Sequence, residues 1–173
     1  DPVPAGGREL DRVPVITLGP ATPDHAADLA SRLRPADLAE IEAASGRQPA
    51  DVLAESLDRA LEARVALLDG RPIAIWGLGT LSMMFGPGVP WMVASPEIAS
   101  VGQRFLRESR RQVAVMLGRY AVLTNHVDAR NAPAIKYLRW LGFTFGVATP
   151  WGHAGLPFHP FHLTRDNMER AHV

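Results

Sequence analysis

His126 and Asp128 could move protons, because an imidazole titrates near neutral pH and a nearby carboxylate can hold it in place. Their spacing of two puts both on one face of a strand. The plainer alternative makes His126 a surface or hydrogen-bonded histidine and Asp128 a turn or cap residue. Just beyond, Asn131 opens the stretch NAPAIKYLRWLGF, where a carboxamide can cap a helix or touch a ligand. Tyr137 in that stretch carries a hydroxyl able to protonate a leaving group; its plainer reading is an amphipathic tyrosine at the core edge. Arg104 shares a helix face with Arg107 and Arg111, and that face is either solvated or lends Arg104 to a phosphate.

Other chemistries are disfavoured. The chain has no cysteine, which removes disulfides, a thiolate nucleophile and a cysteine zinc site. His153, His159 and His162 invite a metal reading, but His159 and His162 lie three apart on an expected strand and so on opposite faces. No carboxylate pattern completes a set, and no metal is expected. With 18 basic and 18 acidic residues the formal net charge is zero, so neither nucleic acid nor a membrane surface is an expected partner. No stretch is apolar enough for a membrane span.

The elements that must position these residues can be read from periodicity and caps. A strand is expected over 13–18. A helix follows over 22–33, with Thr22 as N-cap and Pro23 in its first turn. Two more helices cover 34–46 and 49–63. A hairpin spans 64–80 around Asp69-Gly70, and 82–88 is a loop. A strand at 89–94 leads into a long helix, 95–118, capped by Ser95 and closed by Gly118. Strand 120–129, helix 132–142 and strand 143–149 follow. The last strand, 155–163, carries Pro157 and Pro160 and so is expected at an edge or a bulge. At 173 residues the chain fits one domain, expected over 13–165. A loose proline- and glycine-rich arm is expected over 1–12 and a tail over 166–173.

That order resembles the GNAT N-acetyltransferase fold, an α/β (α+β) architecture with a mixed central sheet of about six to seven strands flanked by helices on both faces. The match is most specific at Val127, Asn131, Ala134, Gly142 and Phe143, which fall where the family has a strand, an Asn-opened helix and a Gly-Phe close. The resemblance implies acetyl-CoA as cofactor, with Asn131 beside its pantetheine. Backbone groups at Met92, Val93, Ala94 and Gly102 would line the channel, with Arg104 near the phosphates. It implies two parallel strands, near positions 90 and 124, parting at one end into a wedge roofed by the segment from Asn131.

Parts of the family pattern are altered. The family's glycine-rich phosphate loop corresponds to SPEIASVGQR, in which Gly102 matches one glycine. Ala99 replaces the expected Arg or Gln, and Glu97 brings negative charge to a helix start that should attract phosphate. The family's usual tyrosine position is Leu138, and Tyr137 is one residue early, about 100° around the helix. The central strands carry no carboxylate or histidine, which leaves His126 and Asp128 as the nearest titratable candidates for the base.

The wording LTNHVDARNAPAIKYLRWLGFTFG, with VPWMVASPEI upstream, looks closer to the GNAT-like internal virion or head-assembly-associated proteins of short-tailed bacteriophages. That branch implies weak or absent acetyl transfer and a role in virion assembly or host interaction, in the host cytoplasm or the virion. Its partners would be a phage or host protein, or a second copy of the chain. The alternative is an active acetyl-CoA-dependent N-acetyltransferase on a small amine or a protein amino group. Met83, Met84 and Phe85, with Trp91, form an apolar group that reads as a core lid or a contact surface.

Overall fold

The computed structural model describes residues 13–81 and 86–170. The expected arm 1–12, the last three tail residues, and Met83, Met84 and Phe85 lie outside them. The described elements are β1 (Ile16–Pro20), α1 (Pro23–Ala30), α2 (Pro35–Ser45), α3 (Pro49–Arg59), β2 (Glu62–Leu68), β3 (Arg71–Thr80) and β4 (Gly88–Ala94). After a 3-10 turn (Pro96–Ser100) come α4 (Gly102–Arg119), β5 (Val122–Asp128), α5 (Ala132–Leu141), β6 (Thr144–Phe145), β7 (Thr149–Trp151), β8 (Leu156–Thr164) and α6 (Arg165–Arg170). No helix among the described residues is long and apolar enough to cross a membrane.

Local chemistry sets the helix starts. Thr22 Oγ1 accepts the His25 N–H at 3.3 Å while His25 Nδ1 accepts the Thr22 N–H at 3.2 Å, a reciprocal cap on α1. Asn131 Oδ1 accepts the Ala134 N–H at 3.2 Å and caps α5. Prolines stand in the first turns of α1, α2, α3 and α5, where a missing N–H costs nothing.

The strands form one eight-stranded sheet in the order β1-β2-β3-β4-β5-β8-β6, with β7 also on β8. Every pairing is antiparallel except β4 with β5. Alternation divides the core between the two faces. Val65 and Ile75 pack with Ala26, Leu29, Ile41 and Leu53 under α1, α2 and α3. Ala66, Ala74 and Trp76 face the other way, toward Phe105 and Met116 of α4. Leu123, Val127, Phe161 and Leu163 pack with Val113, Leu117 and Leu141 from α4 and α5. Helices on both faces explain why positions 72–78 of β3 are all buried.

Three expectations are corrected. The helix expected over 95–118 is a short 3-10 turn followed by α4, because Gly102 takes φ +46 and breaks the helical path. Ser95 does not cap it; its N–H still donates to Ile73 O at 2.8 Å as an extension of β4. Gly118 stays inside α4, which ends at Tyr120 with φ −125. Second, β8 is interior, between β5 and the β6/β7 pair. Pro160 falls in the break on the β6/β7 side, between β6, which pairs with 161–162, and β7, which pairs with 156–158, while Pro157 stands opposite Pro150 of β7. Third, the strand expected over 143–149 shrinks to β6, the same interruption seen from the other side.

Strands β4 and β5 touch at a single register position, Gly88 with Leu123. A Cβ on Gly88 would stand 2.9 Å from the Leu123 side chain, so glycine permits the contact. Two residues later Pro90 has no N–H to offer, and the strands part toward Ala94 and Asp128.

Candidate functional site

Helix α2 closes the open end of this wedge. Its Arg34 N–H, just before the first turn, donates to Ala94 O at 2.8 Å. The Ala94 N–H donates to Asp37 Oδ2 at 2.9 Å. On the other strand the Asp128 N–H donates to Glu40 Oε2 at 3.2 Å, and Asn131 Nδ2 donates to the same oxygen at 2.8 Å. Two carboxylates one helical turn apart thus replace the ladder bonds that β4 and β5 no longer give each other. The backbone alternates, with the Ser95 N–H turned to β3 and the Ala94 N–H turned to the gap. Met92, two residues before Ala94, therefore directs its amide and carbonyl into the gap as well. Nearer the closed end, Asn125 Nδ2 donates to Pro90 O at 3.0 Å.

The two carboxylates differ in their partners. Asp37 is buried and held by the Arg34 guanidinium through bonds of 3.0 and 2.9 Å. Among the described residues Glu40 has no cationic partner. Burial pushes its pKa from the ordinary value near 4.5 up to about 7, the Asn131 and Asp128 hydrogen bonds pull it back, and the Asp37 and Asp128 charges add a smaller upward push. A carboxylate near 7 can both accept and release a proton at neutral pH.

A cavity of about 160 Å³ fills the wedge and continues under α4 and α5. Of the candidate catalytic and cofactor-binding residues, Met92, His126, Asn131 and Tyr137 line it, as do Val127, Ala134 and Phe143 of the family pattern. His126 stacks on Trp151 with ring centroids 4.6 Å apart, and burial lowers its pKa. Tyr137 lines the cavity despite its one-residue offset. The lining takes a broad face of α5, Ala134, Tyr137, Leu138 and Leu141, so both helical positions contribute. The Tyr137 ring stacks on Phe105 at 6.1 Å. Burial pushes its hydroxyl up to about 12, with the Ser109 hydroxyl and the Arg34 charge opposing.

The other candidates lie elsewhere. Val93 points to the opposite face and packs on the α1–α3 core. The Ala94 side chain is buried and its backbone is held by α2. Gly102 and Arg104 sit exposed in the first turn of α4, away from the cavity wall. Asp128 is bound to Arg130 through its side chain, with Nη2 to Oδ2 at 2.6 Å, and through the Arg130 N–H at 2.8 Å, which makes it a turn residue. His159 and His162 bond to Gly146 O and Thr144 Oγ1 at 2.9 Å each.

Glu40, Asp37 and Arg34 were missed by sequence reasoning. The available signal was the mixed character of α2: buried Asp37 lies one turn from buried Ile41 while Leu38 is 39% exposed. Acids on the buried side of a helix mark a site more than a surface.

No family model and no curated protein matches the sequence. Solved structures do match in shape. Spermidine N-acetyltransferase from Vibrio cholerae, solved in complex with CoA and spermine, is 14% identical, with a TM-score of 0.65 over 89% of this chain and 98% of that one. The ribosomal-protein-S18-alanine N-acetyltransferase of Escherichia coli is 15% identical, with a TM-score of 0.60 over 87% and 94% of the two chains. A GNAT-family acetyltransferase from Streptococcus pneumoniae is also 15% identical, with a TM-score of 0.59 over 87% and 99%. Together with the mixed sheet and its parted parallel pair, these likenesses show that the chain has the GNAT fold.

Proposed function

We propose that the chain is an acetyl-CoA-dependent N-acyltransferase in which Glu40 is the base. The observation that carries this reading is the placement of Glu40, near neutral in pKa, at the open end of the gap into which Met92 turns its amide and carbonyl.

The residues present fit such a thioester. Met92 offers one donor and one acceptor to an amide-bearing arm. The start of α4 has no side-chain cap and no acid in its first turn. Glu97, expected to repel phosphate there, instead lies on the preceding 3-10 turn beside Arg32, at 3.6 Å. Gly102 leaves open space around that helix start, and Arg104 stands in the same turn. Acetyl-CoA, when bound, supplies an activated acyl thioester whose transfer to an amine yields an amide and a free thiol. Glu40 Oε accepts a proton from the amine nitrogen, and the Asn131 amide keeps that carboxylate turned toward the gap. Tyr137 keeps its proton on Oη through the neutral range and can donate a hydrogen bond to a departing sulfur, which takes its proton from solvent.

A second reading follows the likeness to phage GNAT-like proteins: weak or absent transfer, and a role in virion assembly or host interaction. It is favoured by the engagement of Asn131, whose carboxamide already accepts the Ala134 N–H and donates to Glu40. Calorimetric titration with acetyl-CoA, followed by thiol release across a panel of amines, separates the two. Binding with turnover supports the transferase. Binding without turnover supports the second reading. No binding at millimolar CoA rejects an acyl-CoA role.

A further inference from the structure

The cavity has two unlike ends. Its polar end lies at the C-terminal ends of β4 and β5, among Arg34, Asp37, Glu40 and Asn131. Its deep end runs toward the Gly88–Leu123 contact and is walled by Met92, Val113, Met116, Leu141, Phe143 and Phe161. Helix α4 links two parallel strands and so runs back against them, which brings Val113 and Met116 to the deep end while its first turn stays near the polar one. The polar side chains along this wall are already bonded. Gln112 Nε2 donates to Glu108 Oε1 at 2.6 Å, Ser109 Oγ to Phe105 O at 2.8 Å, and Asn125 Nδ2 to Pro90 O at 3.0 Å. What remains for a ligand is mostly apolar surface, with the Trp76 Nε1–H left without a partner among the described residues and the Met92 amide and carbonyl turned into the gap.

The whole cavity, polar end included, is about 160 Å³, on the scale of an engineered apolar cavity of about 150 Å³ that takes up benzene. An acetyl group adds a single methyl beyond the thioester carbonyl and leaves most of that wall uncovered. Two methionines in the lining adapt to chains of differing shape.

We propose that the acyl group this chain carries is longer than acetyl, a saturated chain of about four to six carbons filling the deep end. The inference rests on the reading that the wedge holds an acyl-CoA, with its carbonyl at the Glu40 end.

Calorimetric titration of the wild-type chain with CoA, acetyl-CoA, butanoyl-CoA and hexanoyl-CoA tests it. Affinity is expected to rise roughly fourfold for each added methylene until the slot is full. Met116→Trp fills the slot and is expected to abolish the gain of hexanoyl-CoA over acetyl-CoA. Equal affinity across the wild-type series overturns the chain slot and leaves the wedge's CoA role standing. A hexanoyl gain that survives in a folded Met116→Trp variant places the chain elsewhere and also overturns it. No binding of any thioester or of CoA overturns both readings. The wild-type series decides the matter without the variant.

Discussion

Asn131 Nδ2 donates to Glu40 Oε2 at 2.8 Å, and through that bond α5 and α2 meet over the gap between β4 and β5. The same oxygen takes the Asp128 N–H. One carboxylate therefore ties together the cap of a helix, the end of a strand and the mouth of a cavity.

Replacing Glu40 with Gln tests its role as base. A glutamine oxygen still accepts both bonds, so the fold is preserved while the proton acceptor is lost. Acyl transfer should fall by about 10²- to 10⁴-fold, with thioester affinity unchanged by calorimetry. Full activity in Glu40→Gln would remove Glu40 from the chemistry.

The pH dependence follows from the same group. With a pKa raised to about 7, the transfer rate should rise with pH through that value, since the deprotonated form is the active one. Stability runs the opposite way. The folded state holds this proton more tightly than the unfolded chain, so the group's destabilising contribution is absent below its ordinary value near 4.5 and grows as pH rises through about 7. At pH 8 the cost is on the order of 3 kcal/mol. Urea midpoints at pH 5 and pH 8 should show wild type losing stability relative to Glu40→Gln as pH rises; parallel behaviour would contradict the buried-acid account.

Asn131 supplies a graded test. Asn131→Ala removes the α5 cap, at a cost of about 0.5–2 kcal/mol, and strips Glu40 of a donor. Asn131→Asp keeps an acceptor for the Ala134 N–H but sets a second carboxylate against Glu40. The acid limb of the pH–rate profile should then move to higher pH in Asn131→Asp. An unmoved limb would mean that the limb does not report Glu40.

Much of the scaffold was legible because its signals are local. The Thr22–His25 cap, the Asp69-Gly70 turn and the Asn131 cap each lie within four residues of sequence. The parting of strands near positions 90 and 124 was implied by the family resemblance that the pattern around Asn131 carries, and the single Gly88–Leu123 pairing agrees with it. Glu40 was illegible because its meaning is non-local: its partners are 88 and 91 residues away. The break at Gly102 was missed because a lone glycine is tolerated inside a helix unless its φ turns positive. The interior position of β8 was missed because proline signals an edge only where a neighbouring strand runs unbroken beside it.

Trp91 and Gly77 face each other across β3 and β4. A Cβ at Gly77 would stand 2.5 Å from the Trp91 ring, so Gly77→Ala must push the indole off its seat beside the cavity. The expected cost is about 1–3 kcal/mol in urea unfolding, with a change in tryptophan emission. A neutral substitution would show that the ring moves freely.

Titration of isotope-labelled protein with acetyl-CoA, followed by amide NMR, tests the wedge most directly. The Met92 backbone amide and the Asn131 side-chain amide should shift together, with Val65 and Ile75 on the α1–α3 face unmoved. An absence of shifts at millimolar ligand, or shifts confined to that opposite face, would contradict a thioester site between β4 and β5.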